Sequence, residues 1–176
     1  MKKQLIALAT MGAVLAGCSS SATAAQMPAP KAIVKTNPDF MSIVRQDAVE
    51  HRMAGVVKQL KKRIGKTWYV FSGSTPRGWD CSGLTRWAYA QIGVDIPHSA
   101  NKQARLGIKV ASPSIGDLVL FGYPGSNTFF HASIYIGNGQ VIHAGFKRGQ
   151  TTSILDLDSA SVKNTKIRFV KVSVDG

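Results

Sequence analysis

Gly78–Leu84 reads GWDCSGL, and the reading of this stretch decides how the rest of the chain is organised. Downstream of it, Leu84, Trp87, Ala88 and Ile92 recur at the spacing of one helix face, and Gly93 ends the pattern. Asp80 therefore stands at the N-cap position and Cys81 opens the helix. A thiol placed there lies among backbone N–H groups without helical partners, at the positive end of the helix dipole. Both favour the thiolate, which is the nucleophilic form. Trp87 and its apolar neighbours read as core, and Gly83 reads as a site of close packing.

The chain contains two cysteines, Cys18 and Cys81, so the fate of Cys18 governs what Cys81 can be. Lys2 and Lys3 precede LIALATMGAVLAG, an apolar stretch too short to span a bilayer but long enough for a secretory signal. LAGC at Leu15–Cys18 resembles a lipoprotein cleavage site, with residues 1–17 removed and Cys18 lipidated; ATA at Ala22–Ala24 offers an ordinary signal-peptidase site instead. In a Gram-negative host, Ser19 after the cysteine favours the outer membrane, facing the periplasm; the second site would make the protein secreted. Either route leaves Cys81 as a single thiol in an oxidising compartment. A disulfide within the mature monomer is excluded. No paired ligand spacing supports a metal site, and neither a metal nor another cofactor is expected. A buried inert cysteine and a reactive one both remain.

The 22 Lys and Arg against 9 Asp and Glu give a net charge of +13, or +11 once Lys2 and Lys3 leave with the signal. Such a balance suits polyanionic surroundings, and a secretory signal points to envelope polymers or lipid headgroups rather than nucleic acid. Residues 18–38, rich in Ser, Ala and Pro, read as a flexible tether, which leaves 39–176 as one domain.

Within that domain, Val49, Met53, Val56, Val57, Leu60 and Ile64 share one helix face over residues 39–66, with Asp39 as cap and Gly65 as stop. The basic run KQLKKRIGK reads as the solvated face of that helix. A short helix is expected over Ser99–Leu106, closed by Gly107. Strand patterns then follow at Gly116–Tyr123, at His131–Gly137, at Gln140–Gly145, within TTSILDLD and within KIRFVKVSV. Asn138-Gly139 is a two-residue hairpin signal between the second and third of these. Helices first and a mostly antiparallel sheet second make an α+β fold.

A cysteine nucleophile needs an imidazole base and a polar group to orient it. Of the four histidines, His51 and His98 read as structural or surface residues. His131 and His143 lie on hairpin partners in the sheet against which the cysteine helix must pack. A two-residue turn sets His143 opposite Ile134, three positions from His131, so simple strand arithmetic does not bring the two imidazoles together.

DCSGL, GDLVLF and HASIYIGNGQVIHA, together with YVFSGSTPRGWDCSG, resemble the NlpC/P60 family of cell-wall cysteine peptidases over about residues 64–144. The resemblance implies a papain-like fold, with the cysteine opening a helix packed on an antiparallel sheet. It implies Cys81 as nucleophile, His131 as general base and acid, and His143 as the group that orients His131. Tyr69, Asp80 and Ser82 are the implied substrate or oxyanion residues. Core packing is the structural alternative for Tyr69; capping and first-turn packing are the alternatives for Asp80 and Ser82. Ser72-Gly73 and Ala132-Ser133 stand where the family usually has Gly-Gly and Val-Gly. The implied activity is hydrolysis of peptidoglycan stem or crosslink peptides through a thioester, at the bond between γ-D-glutamate and a diamino acid. An amidase or acyltransferase on the same fold, and a non-catalytic envelope or virion component, are the alternatives. A monomer is expected.

Overall fold

The computed structural model describes residues 38–145 and 148–172, the side chains of 38–42, 44 and 45 excepted. The expected signal, residues 18–37 of the expected tether, Cys18 and the side chain of Asp39 lie outside the described residues; the helix already begins at Pro38, so Asp39 stands within its first turn rather than at its cap. Helix α1 (Pro38–Lys61) buries Val49, Met53, Val56, Val57 and Leu60, the apolar face that the sequence spacing marks. It closes earlier than residue 66. Residues 62–66 continue as turns, with Gly65 at φ 70° and its N–H donating to the Thr152 carbonyl at 2.9 Å.

Two short antiparallel strands, β1 (Ser74–Thr75) and β2 (Gly78–Trp79), lead into helix α2 (Cys81–Ala90). Helix α3 is four residues long, Ala100–Gln103, capped by Ser99 and shorter than the Ser99–Leu106 expectation. Strand β3 (Ile108–Val110) follows; three residues, two of them exposed and one half-buried, carry too little alternation to be read as a strand from sequence. The remaining strands are β4 (Leu118–Gly122), β5 (Phe129–Gly137), β6 (Gln140–His143), β7 (Ser153–Asp156) and β8 (Lys166–Lys171). They join β3 in one sheet of order β3-β8-β4-β5-β6-β7, antiparallel at every pairing.

One face of this sheet packs on the helices. Leu118, Leu120, Ala132, Ile134 and Ile142 meet Met53, Leu60, Leu84 and Ala88 in the main core. Full burial of each large aliphatic side chain there stabilises the fold by about 1.5–3 kcal/mol. On the other face Val119, Phe121 and Val141 pack with Val162 and with half-buried Leu155, Ile167 and Phe169. Both faces are therefore covered, which explains why β4 is buried along its whole length instead of alternating.

A bulge sets the register of the β5–β6 hairpin. At the turn Gly137 pairs with Gln140 across Asn138 (φ 53°) and Gly139 (φ 69°), the backbone that an Asn-Gly type I′ turn requires. Between Tyr135 and Gly137 the register shifts by one, so that Tyr135 pairs with Val141 and Ile134 with Ile142. Continued from those pairs, the register sets His143 level with Ser133 rather than Ile134. A one-residue shift exchanges the faces of a strand. It keeps Ile134 and Ile142 on the helix side and turns His143 to the same face as His131.

Candidate active site

Asp80 has extended backbone (φ −90°, ψ −177°), and its Oδ1 accepts from the Gly83 N–H at 2.7 Å, the N-cap bond expected from the sequence. The same oxygen accepts from Ser82 Oγ at 3.1 Å and from His98 Nε2 at 2.9 Å, while Oδ2 accepts from the Ser72 N–H at 3.0 Å. One buried carboxylate thus ties the start of α2 to the segment carrying Tyr69 and to the approach to α3. The sequence reads His98 as a structural or surface residue; it is structural, and it stands at the cap of the helix that Cys81 opens. Gly83 has no room for a side chain, since a Cβ there would run into the Gly73 carbonyl and His98. Close packing is therefore its reason.

Cys81, half-buried, presents its sulfur to β5. Among the described residues the β5–β6 pairing ends at Ile134↔Ile142, and past that end the Ala132 N–H is directed at the Cys81 sulfur. Burial pushes the thiol pKa up; the N–H groups of Ala132, Ser82 and Cys81 itself oppose this, and the Asp80 carboxylate adds to it, for a net rise. The helix terminus does favour thiolate, as expected from sequence, but desolvation outweighs it.

His131 and His143 are buried, 2 % and 4 % exposed, and their rings meet edge to face with His131 Nε2 3.0 Å from His143 Nδ1. Their strand positions place them two apart on one face, a diagonal pair within reach of two rings. Burial and then the neighbouring His143 lower the His131 pKa to about 3; burial lowers His143 to about 4. At neutral pH the site holds a protonated thiol and two neutral imidazoles. Among the described residues no group of three or more His, Cys, Asp or Glu could hold a metal ion.

Tyr69 stands in the same neighbourhood: its phenol pKa is raised by burial, then by Cys81 and then by Asp80. Its N–H donates to the Gln150 carbonyl at 2.8 Å, and its strand position is level with Trp79. Ser82 bonds Asp80 through its hydroxyl and gives its carbonyl to Thr85 Oγ1 and Gln103 Nε2, at 2.9 and 3.0 Å. Trp68 and Phe71, 57 % and 83 % exposed, flank Tyr69 in the chain. An open groove of about 630 Å3 runs beside His143, with Trp68, Gln150 and Ser153 among its walls. His51 is exposed on α1.

Residues 65–171 match the sequence pattern of the NlpC/P60 family. The chain belongs to that family. NlpC/P60 relatives include the gamma-DL-glutamyl hydrolase of Bacillus subtilis (strain 168), 42 % identical over 117 residues, 64 % of this chain and 28 % of that protein. A probable endopeptidase of Corynebacterium glutamicum is 42 % identical over 91 residues, 51 % of this chain and 41 % of the relative. The chain thus spans less than half the length of either. The crystal structure of the NlpC/p60 domain of the peptidoglycan hydrolase SagA is similar at a TM-score of 0.56 and 32 % identity, over 68 % of this chain and 98 % of that one. A NlpC/P60 family protein from Bacillus cereus gives a TM-score of 0.59 at 27 % identity, over 66 % of this chain and 39 % of that one. These likenesses agree with the α+β fold and the helix-on-sheet arrangement read from the sequence.

Proposed function

We propose that this chain is a cysteine-type endopeptidase of peptidoglycan, cutting stem or crosslink peptides at the bond between γ-D-glutamate and a diamino acid. The observation that carries the reading is the meeting of Cys81, at the capped start of α2, with β5 at Ala132, beside a His131 whose Nε2 is engaged by His143. The nature of the substrate rests on the family and on relatives named as a glutamyl hydrolase, an endopeptidase and a peptidoglycan hydrolase.

With Nε2 committed to His143, His131 acts through Nδ1. Nδ1 takes the Cys81 proton as the sulfur attacks the scissile carbonyl, and the positive charge formed on His131 is shared with His143. The Cys81 N–H and the Tyr69 phenol stabilise the oxyanion. Collapse of the tetrahedral intermediate breaks the C–N bond, His131 gives its proton to the leaving amine, and a thioester remains on Cys81. His131 next deprotonates a water that attacks the thioester, and the proton returns to sulfur as the acid product leaves. Asp80 and Ser82 act from behind the nucleophile, as the cap that holds its helix.

The protein works in the cell envelope, anchored through lipid on Cys18, with the exposed Lys58 and Lys61 at the end of α1 and Lys62, Arg63 and Lys66 in the turns after it suited to anionic wall polymers. Incubating purified muropeptides with the wild type and with Cys81→Ala tests the activity: γ-glutamyl cleavage products identified by mass spectrometry are expected from the wild type alone. Cuts at the sugar-to-alanine amide would replace this reading with an amidase, and no products from correctly processed protein would end it. Radiolabelled palmitate entering the wild type but not Cys18→Ser tests the anchor.

A further inference from the structure

The hydrogen-bonded chain does not stop at His143. Its Nε2 lies 3.1 Å from Ser153 Oγ, the residue paired with His143 across β6 and β7. Ser153 is half-buried, with its side chain at the wall of the groove beside the site. The strand reading of TTSILDLD assigned it no role.

Two neutral imidazoles joined through His131 Nε2 and His143 Nδ1 share one proton in that bond, and its side decides the chemistry. If the proton sits on His143 Nδ1, neutral His131 must carry its own on Nδ1 and cannot accept from a thiol. If it sits on His131 Nε2, the His131 Nδ1 lone pair is available to Cys81 and His143 carries its proton on Nε2. That second arrangement needs an acceptor at His143 Nε2, and Ser153 Oγ lies at hydrogen-bond distance from it.

We propose that Ser153 is a positioning residue whose Oγ accepts the His143 Nε2–H and so holds the imidazole pair in the tautomer that leaves His131 Nδ1 ready for the Cys81 proton. The catalytic part of this statement rests on the endopeptidase reading; the tautomer does not. When His131 becomes cationic in the acylation step, the same bond helps to spread the charge toward the groove.

Nitrogen-15 NMR of the imidazoles, joined to kinetics on a stem peptide, tests the proposal in the wild type, Ser153→Ala and Ser153→Thr. The wild type should show His143 protonated at Nε2 with Nδ1 unprotonated. Ser153→Ala should give mixed tautomers and a kcat lower by about tenfold, the worth of one hydrogen bond to a group that becomes charged, with KM unchanged. Ser153→Thr, which keeps the hydroxyl, should restore both. A wild-type His143 protonated at Nδ1 overturns the proposal before any variant is made. Ser153→Ala with unchanged tautomers overturns it as well, whether kcat holds or falls, because a fall would then have a structural origin. A wild type with the expected tautomer but no turnover would sink the endopeptidase reading and leave the tautomer assignment standing.

Discussion

The start of α2 and the β5–β6 hairpin deliver the two halves of the site in different ways. At α2 the features that place Cys81 are close in sequence: Asp80 caps, Cys81 opens the helix one residue later, and Gly83 lets the turn pack against Gly73. At the hairpin nothing local brings His131 and His143 together, because the Asn-Gly turn taken alone leaves them on opposite faces. The register shift between Tyr135 and Gly137 moves His143 to the level of Ser133 and so to the His131 face. The placing of Cys81 can therefore be read from a motif, whereas the meeting of His131 with His143 depends on a sheet register that a single extra residue reverses.

The two halves can be broken separately, and the largest effect is expected at the hairpin. His131→Ala should lower kcat by about 10²–10⁴, the range of general acid-base contributions, in a protein that retains its circular dichroism. A loss below tenfold would show that the base lies elsewhere.

Acid should next destabilise the same half. Both imidazoles have folded pKa values, about 3 and about 4, below the usual histidine value, so between those values and about 6.5 the unfolded chain binds more protons. Their contribution is complete above about pH 6.5 and is lost as the pH falls through the folded values, on the order of a few kcal/mol. Urea unfolding across pH 4–7 reads this loss directly, and the decline should be shallower in His131→Ala.

At the helix start, Asp80→Ala should destabilise the protein by about 2 kcal/mol. It removes a cap and leaves the Ser72 N–H, the Ser82 hydroxyl and the His98 ring without their carboxylate. An unchanged urea midpoint would show that this cap is not what holds the turn carrying Cys81.

The smallest effect is expected just upstream. Ser72 sits at φ 56°, the left-handed region that favours glycine, at a position where the family usually has glycine. Ser72→Gly should stabilise the fold, by no more than about 1 kcal/mol after the added chain entropy of the unfolded state. A clear loss of stability would show that the serine side chain makes a contact outweighing its backbone strain.

Periodicity and capping made the α1 core face, the α2 start and the main strands legible because each is set within a dozen neighbouring residues. The same signals place Cys81 at a helix N-terminus and His131 and His143 on paired strands. Three things lay beyond them. The bulge leaves no mark, since Ile134 and Ile136 alternate as they would in a regular strand. The bond from His98 to Asp80 spans 18 residues and exists only once the approach to α3 folds back on α2. Ser153 became recognisable only through the β6–β7 register that seats it across from His143. The fall of the thiolate expectation has a similar origin: helix polarity is local, but the desolvation that outweighs it comes from the sheet packed over Cys81.

The most direct measurement is the capture of the covalent intermediate. Wild-type protein mixed with a stem peptide, quenched in acid within its first turnover and mapped by mass spectrometry should carry the acyl fragment ending in γ-glutamate on the Cys81 peptide and nowhere else. Turnover that proceeds without any adduct at Cys81, and that survives Cys81→Ala, would contradict the account at its centre.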